Sequence, residues 1–500
     1  MSAAGLVPGD ASDIRLRRLV APEDWTNPAP QPKYDLVVLG GGPAGLVAAA
    51  GAAGLGAKVA LVEKGLLGGD CLIAGCVPSK ALIAAARAAH EARAAGRFGV
   101  HAEVTVDFPA LMARLREVRA DLAPQDSAER FRSLGVDVFL GEGRFTGRDT
   151  VAVGGASLRF RKALVATGGR ATVPDLPGLQ EAGFHTNETI FGLVELPRSL
   201  VVVGGGPIGC ELAQAFRRLG SEVTVLARPR LLPREDADAA ALLRQAFLEE
   251  GIHLLEGAEA TSVRREDGQR VVAFRLDGED REVRGDLLLV ATGRTLNLEG
   301  LGLDAAGIAL EAGKLKLDPR LRTTNPRIYA AGDAAGGYQF THAADAHARL
   351  VLRNAFFLGR GGAGELVVPR CTYTDPEVAQ VGLTKAEAEA RGLAVDAFRV
   401  DFADTDRGAV DGATGFLQAV VKRGTDRVLG FTLVGPHAGD LAGEAAVFMA
   451  TSGRLAALDA IIHPYPTLAE GFKRLGGAYM KTRLSSGLAA LFRRYFALFR

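Results

Sequence analysis

Two cysteines, Cys71 and Cys76, stand five residues apart in the run GGDCLIAGCVPSKALI. Pro78 and an alanine-rich stretch follow. A helix is therefore expected to begin near Cys76, with proline in its first turn, where a missing N–H is tolerated. A disulfide across so short a loop removes little chain entropy and makes a poor staple. As a redox pair the spacing makes sense, because a helix N-terminus favours the thiolate of Cys76. Zinc would need two more ligands, and the remaining cysteines, Cys210 and Cys371, stand alone without a histidine cluster. No metal site is expected, and Cys210, inside an expected helix, reads as a small core residue.

The elements that must position this pair are written twice. YDLVVLGGGPAGLVAAAGAAGLGAKVALVEK, from Tyr34, matches SLVVVGGGPIGCELAQAFRRLGSEVTVLARP, from Ser199. Each reads as a β-branched strand, a glycine turn, an Ala/Leu-rich helix and a second strand, a βαβ unit with Gly-x-Gly-x-x-Gly at its first turn. Gly40 and Gly204 make the tight turns. Gly42 and Gly206 let backbone approach a pyrophosphate, and Gly45 and Gly209 let helix pack on strand. The anion belongs on the helix N-terminus, where free N–H groups point at it. Glu63, 23 residues after Gly40, stands where an adenosine ribose is held. The matching position after Gly204 is Ala227, followed by Arg228 and Arg230. A missing carboxylate beside arginines suits a ribose 2′-phosphate, so the second unit is expected to take NADPH in preference to NADH.

Composition narrows the class. The 500 residues exceed a single core, so several domains are expected. Lys+Arg 59 against Asp+Glu 58 argues against a nucleic-acid protein with a dominant basic face. Sixty-three glycines call for many turns and close backbone approaches. Four cysteines in so long a chain do not make a disulfide scaffold, which points to a reducing, cytoplasmic setting. The N-terminus has no apolar signal core. Leu36 to Ala57 is uncharged and long enough to span a membrane, but its seven glycines and Pro43 suit a phosphate-binding strand, turn and helix better.

With these motifs in view the chain resembles the FAD-dependent pyridine nucleotide-disulfide oxidoreductases over about residues 33–480. The resemblance rests on both glycine turns, Cys-x4-Cys with Pro-Ser-Lys, Ala166-Thr167-Gly168, Ala291-Thr292-Gly293-Arg294, Ala331-Gly332-Asp333, and Tyr465-Pro466-Thr467 with Glu470. The mercuric-reductase-like branch is the nearest, through GGDC, VTVLAR and PYPTLAEGFK. The resemblance implies an α/β fold of two Rossmann-like dinucleotide-binding domains plus a C-terminal α+β dimerisation domain. It places FAD on Gly40, Gly42, Gly45, Glu63, Gly168 and Asp333, and the nicotinamide cofactor on Gly204, Gly206, Gly209, Arg228, Arg230 and Gly293. Lys80 and Glu211 would form an ion pair beside the flavin, Cys76 would be the charge-transfer thiol, and Cys71 the interchange thiol. Hydride would pass from NADPH to FAD, then to the Cys71–Cys76 disulfide, then to a substrate.

Departures bear on that substrate. Thiol-reducing members carry a histidine where this chain has Tyr465, while His463 lies two residues earlier and Glu470 keeps its register. Tyrosine, with a pKa near ~10, is a poor base at neutral pH. Members acting on Hg(II) carry a C-terminal cysteine pair; here the closing run is LSSGLAALFRRYFALFR. The acceptor thus stays open among Hg(II), another metal ion, a disulfide and a quinone. Rival readings are a dihydrolipoamide-dehydrogenase-like enzyme using NAD and a low-turnover redox-sensing flavoprotein.

The expected organisation is an N-terminal arm over 1–32, an FAD domain over 33–170 and 295–365, an NADPH domain over 171–294 and a dimerisation domain over 366–483. A C-terminal amphipathic helix follows over 484–500. A homodimer with shared active sites is implied. Leu484, Leu488, Leu491, Tyr495 and Phe499 recur at helical spacing in the tail, with Arg493, Arg494 and Arg500 beside them. That pattern suits either a peripheral membrane contact or packing on a partner subunit.

Overall fold

The computed structural model describes residues 6–357 and 359–499. It is a mixed α/β protein that divides into two compact units. One comprises Met1–Pro229 and Gly251–Leu366, the other Arg230–Glu250 and Val367–Arg500.

The first unit holds both βαβ repeats. Strands Val136–Leu140, Val59–Glu63, Tyr34–Leu39 and Ala156–Val165 lie side by side in parallel, and Ile328–Ala330 joins the last of them. Thr150–Val153 and Arg144–Gly147 extend this sheet antiparallel. A second parallel sheet runs in the order His253–Glu256, Glu222–Ala227, Ser199–Val203, Leu287–Val290. Its central strands are apolar runs because a parallel sheet is covered on both faces. The uncharged run from Leu36 divides into strand, turn and the 12-residue helix Pro43–Gly54, so no span forms there. By length and composition alone Gly69–Phe98 could cross a membrane. Within this unit its main helix, Cys76–Ala94, packs on the helices Phe108–Leu122 and Pro207–Leu219.

The expected N-terminal arm is corrected by the structure. Ala11–Val20 is a helix, capped by the Asp10 side chain, which accepts from Asp13 N at 3.0 Å. Leu16 and Val20 lie in the same core as the first repeat. Asp13 pairs with Arg119 at 2.8 Å, both side chains almost wholly buried, and Arg116 pairs with Asp10. The partners lie 106 residues away in sequence, which is why local composition read as a linker.

The second unit is built on an antiparallel sheet ordered Pro369–Thr372, Glu377–Gly382, Val428–Gly435, Phe416–Lys422, Val395–Asp401. Helices Ala438–Thr451 and Glu470–Arg483 help close its core. Arg230–Glu250, read from sequence as part of the nucleotide domain, packs here. Glu235 meets Arg370 at 2.9 Å and Asp238 meets Arg399 at 3.0 Å.

Candidate active site

Cys71 sits on the short helix Gly69–Ile73, and Cys76 is the first residue of the 19-residue helix Cys76–Ala94. Both are thiols in this structure and are hydrogen-bonded to one another. Cys76 thus sits at the N-terminus of its helix, where the helix dipole favours a thiolate. A second helix reaches the same sulfur: Thr341, first residue of Thr341–Phe356, places its Oγ1 3.2 Å from Cys76 Sγ. The hydrogen bond with Cys71, then Thr341 and the charge of Lys80, outweigh burial and hold the Cys76 thiol down at about 6. The same bond, with burial, pushes the Cys71 thiol up. The pair is thus asymmetric, with a thiolate at Cys76 beside a neutral thiol at Cys71. A thiolate is the form that exchanges with disulfides and binds soft metal ions.

Lys80, one helical turn beyond Cys76, donates to Glu211 Oε2 at 2.8 Å. Glu211 is buried on Pro207–Leu219, the helix of the second glycine motif. The expected Lys80–Glu211 pair is therefore formed, and it ties the redox helix to the second repeat. Cys210 is fully buried beside it, as a core residue should be.

Four residues at the site had no role assigned from sequence. Arg294 Nη2 lies 3.1 Å from Asp70 Oδ2 and 3.4 Å from Asp333 Oδ2, and donates to Gly169 O at 3.1 Å. Asp70 also accepts from Asn187 Nδ2 at 3.3 Å, and Asn187 donates to Ala74 O at 3.1 Å. Burial pushes both carboxyls up, with Arg294 opposing. One guanidinium thus joins the residue preceding Cys71 to Asp333. Asp70 and Arg294 stood inside the GGDC and ATGR runs, so a signal existed for them. Asn187 and Thr341 carried none, because their partners come from distant segments.

The two glycine cradles fit dinucleotides. Gly40 has φ 106°, and a Cβ there would stand 2.2 Å from Ala166 O; a Cβ on Gly45 would stand 1.8 Å from Gly40 O. Gly204 and Gly209 repeat this, with φ 129° at Gly204 and approaches of 2.2 Å to Ala291 O and 2.0 Å to Gly204 O. Gly42 and Gly206 cap their helices without a side chain, which leaves the helix N–H groups open to a phosphate. Glu63 accepts from Gly41 N and Gly65 N, each at 2.6 Å, one on each oxygen. A carboxylate has about four acceptor positions, so two remain for ribose hydroxyls. Gly168 and Gly293 take left-handed turns, and Thr167 beside the first donates to Asn297 O at 2.7 Å.

At the end of strand Glu222–Ala227, Ala227 is buried, and Arg228 is exposed and paired with Glu259. Arg230 differs: its guanidinium donates to the carbonyls of Leu231, Leu232 and Glu235, so it builds its own turn.

In the second unit Tyr465 is 68% exposed and donates its hydroxyl to Asp406. That bond raises the phenol above its usual range. His463 Nε2 lies 2.7 Å from Glu444 Oε1, its Nδ1 lies 3.3 Å from Ile461 O, and its ring stacks on Phe472. Glu470 accepts from Arg474 at 2.9 Å, and its other oxygen is buried with no hydrogen-bond partner among the described residues. Tyr465, His463 and Glu470 therefore make three separate pairs and no relay.

Two family models match the chain: pyridine nucleotide-disulphide oxidoreductase over residues 34–348, and the dimerisation domain of the same family over 368–475. The mercuric reductase of Streptomyces lividans is 37% identical over 452 residues, 88% of this chain and 95% of the relative. The dihydrolipoyl dehydrogenase of Bacillus subtilis is 35% identical over 460 residues, 88% and 96%. Among solved structures, the Cu(II) complex of the HOCl-induced flavoprotein disulfide reductase RclA from Escherichia coli superposes with a TM-score of 0.79 at 28% identity, covering 90% of this chain and all of that one. The thiol pair, the doubled dinucleotide cradle and these matches together show that the chain belongs to the pyridine nucleotide-disulphide oxidoreductase family and is a flavin disulfide oxidoreductase.

Proposed function

We propose that this flavin disulfide oxidoreductase uses NADPH to reduce a soft, thiol-seeking metal ion, with Hg(II) as the reference acceptor. The carrying observation is the lack of an available base at the tyrosine position. Tyr465 is held protonated by Asp406, and His463 is engaged with Glu444 and Phe472. A dithiol substrate needs a group to take its proton, whereas a soft cation needs only thiolates. The similarity to mercuric reductases and to a reductase solved with Cu(II) supports this class of acceptor. For Hg(II) the net reaction balances as NADPH + Hg²⁺ → NADP⁺ + Hg⁰ + H⁺.

Bound FAD supplies the step between hydride and disulfide chemistry. The chain's own residues do the rest. The first cradle and Glu63 hold the adenosine end, Lys80–Glu211 fixes the redox helix, Cys76 carries the thiolate, and Cys71 presents the sulfur that exchanges once its proton has passed to the Cys76 thiolate. Ala227 and Arg228 support NADPH, with Arg228 as the cation for the 2′-phosphate once it leaves Glu259. The dimerisation-domain match supports a homodimer.

The test is NADPH oxidation by purified protein offered Hg(II), Cu(II), glutathione disulfide or a quinone, beside NAD⁺ reduction by the same protein offered dihydrolipoamide. Hg(II) or Cu(II) should give the highest kcat/KM. Faster turnover of dihydrolipoamide with NAD⁺ would overturn the reading.

A further inference from the structure

We infer that the C-terminal helix Ser486–Ala497 docks the protein on an anionic lipid surface, lying flat in the headgroup layer. The helix lies beyond both family matches, the second of which ends at residue 475. It is N-capped by Ser485, whose Oγ accepts from Leu488 N at 3.2 Å, so its register is set locally. None of its residues is buried. Leu488, Leu491, Phe492, Tyr495 and Phe496 are all exposed, with Leu491 at 60%. At 100° per residue these five fall within an arc of about 140°, and Arg493 and Arg494 stand about 60° outside its two edges. The Tyr495 ring also meets Phe496 and Phe499, at 5.5 and 5.0 Å, in a continuous aromatic face.

Charge selects the occupant. Residues 471–500 contain seven Lys or Arg and no Asp or Glu, while the preceding 470 carry 52 cationic and 58 acidic residues, a net charge of −6. An anionic surface therefore attracts this end and repels the remainder, which orients the molecule. Lipid suits the arc because arginines at its edges can reach headgroups while the aromatic face enters the acyl boundary. A second copy would bring Arg493 and Arg494 against their own kind. The 12-residue helix, about 18 Å long, is too short to span a core of about 30 Å.

The test is flotation of the full-length, flavin-loaded protein with vesicles of phosphatidylcholine alone or mixed equally with phosphatidylglycerol. The protein should float with the mixed vesicles at low salt and release at high salt. Arg493→Ala with Arg494→Ala should lower partitioning about 30-fold, and Leu491→Asp with Phe492→Asp should abolish it. Flavin absorbance and NADPH oxidation in solution should be unchanged in both variants, which reports folding and separates this result from the acceptor question. Protein left at the bottom with both vesicle types would overturn the proposal. So would equal binding to neutral vesicles, or a halved solution mass in the Leu491→Asp/Phe492→Asp variant, which would give the face to a second copy.

Discussion

Cys76 draws its acidity from three neighbours on three different helices: the Cys71 thiol, the Thr341 hydroxyl and the Lys80 charge. In reduced protein the thiolate absorbance near 240 nm should titrate with a midpoint of about 6. The sign follows from a lowered pKa: the thiolate is present above that pH and is lost as pH falls through it. An ordinary cysteine would titrate near ~8.5. Thr341→Val removes a hydrogen bond to a charged sulfur, a loss of roughly 1.5–3 kcal/mol, and should raise the midpoint by about one to two pH units. An unmoved midpoint would discount Thr341 as a positioning residue. At the second cradle, Arg228→Ala should raise KM for NADPH about tenfold and leave KM for NADH unchanged, as expected for losing one favourable phosphate contact. Equal effects on both cofactors would show that Arg228 does not read the 2′-phosphate.

The helix Ala11–Val20 acts on the site at the scale of elements. Arg119, its buried partner, also donates from Nη1 to Ile73 O at 2.8 Å, and Ile73 closes the short helix that carries Cys71. The N-terminal helix, the Phe108–Leu122 helix and the redox segment are thus held by one guanidinium. Asp13→Ala leaves that charge buried and unpaired, which should cost about 3–5 kcal/mol in urea unfolding. Replacing both partners, with Asp13→Leu and Arg119→Met, should recover most of the loss, because the pair's desolvation cost disappears with it. Equal destabilisation of the single and double variants would mean that packing, not the charge, holds the helix. Gly40→Ala, by contrast, meets Ala166 O at 2.2 Å. It should yield protein that does not retain flavin, seen as loss of the yellow absorbance.

For the whole molecule, the dimerisation-domain match sets the expectation that size measurement will return twice the chain mass. If sites are shared between subunits, the thiols of one chain work with the Tyr465 region of the other. Co-expressing Cys71→Ser chains, which lack the exchanging thiol, with Tyr465→Arg chains, whose added cation would repel a metal ion from the partner's thiols, each inactive alone, should restore about a quarter of wild-type activity. Half the dimers would be mixed, and each of those would carry one intact site. No recovery would place each site within a single chain.

Short-range spacing encodes one part of this protein. The two strand–turn–helix repeats, the cysteine pair at a helix start and the buried Cys210 were legible because glycine turns and helix N-termini obey local steric and dipole rules. The Lys80–Glu211 pair follows from the family resemblance, not from any periodicity of the chain. Partners far apart in the chain are brought together by packing alone: Thr341 on Cys76, Arg294 between Asp70 and Asp333, and Asp13 on Arg119. The tertiary structure also decided that Arg230 spends its donors on its own turn, that Tyr465 binds Asp406, and that His463 is engaged with Glu444 instead of standing ready as a base. For the buried pairs between distant segments the physical reason is common. A buried or half-buried polar group must find a partner, and which partner is near depends on how distant segments pack, which no local pattern of residue types records.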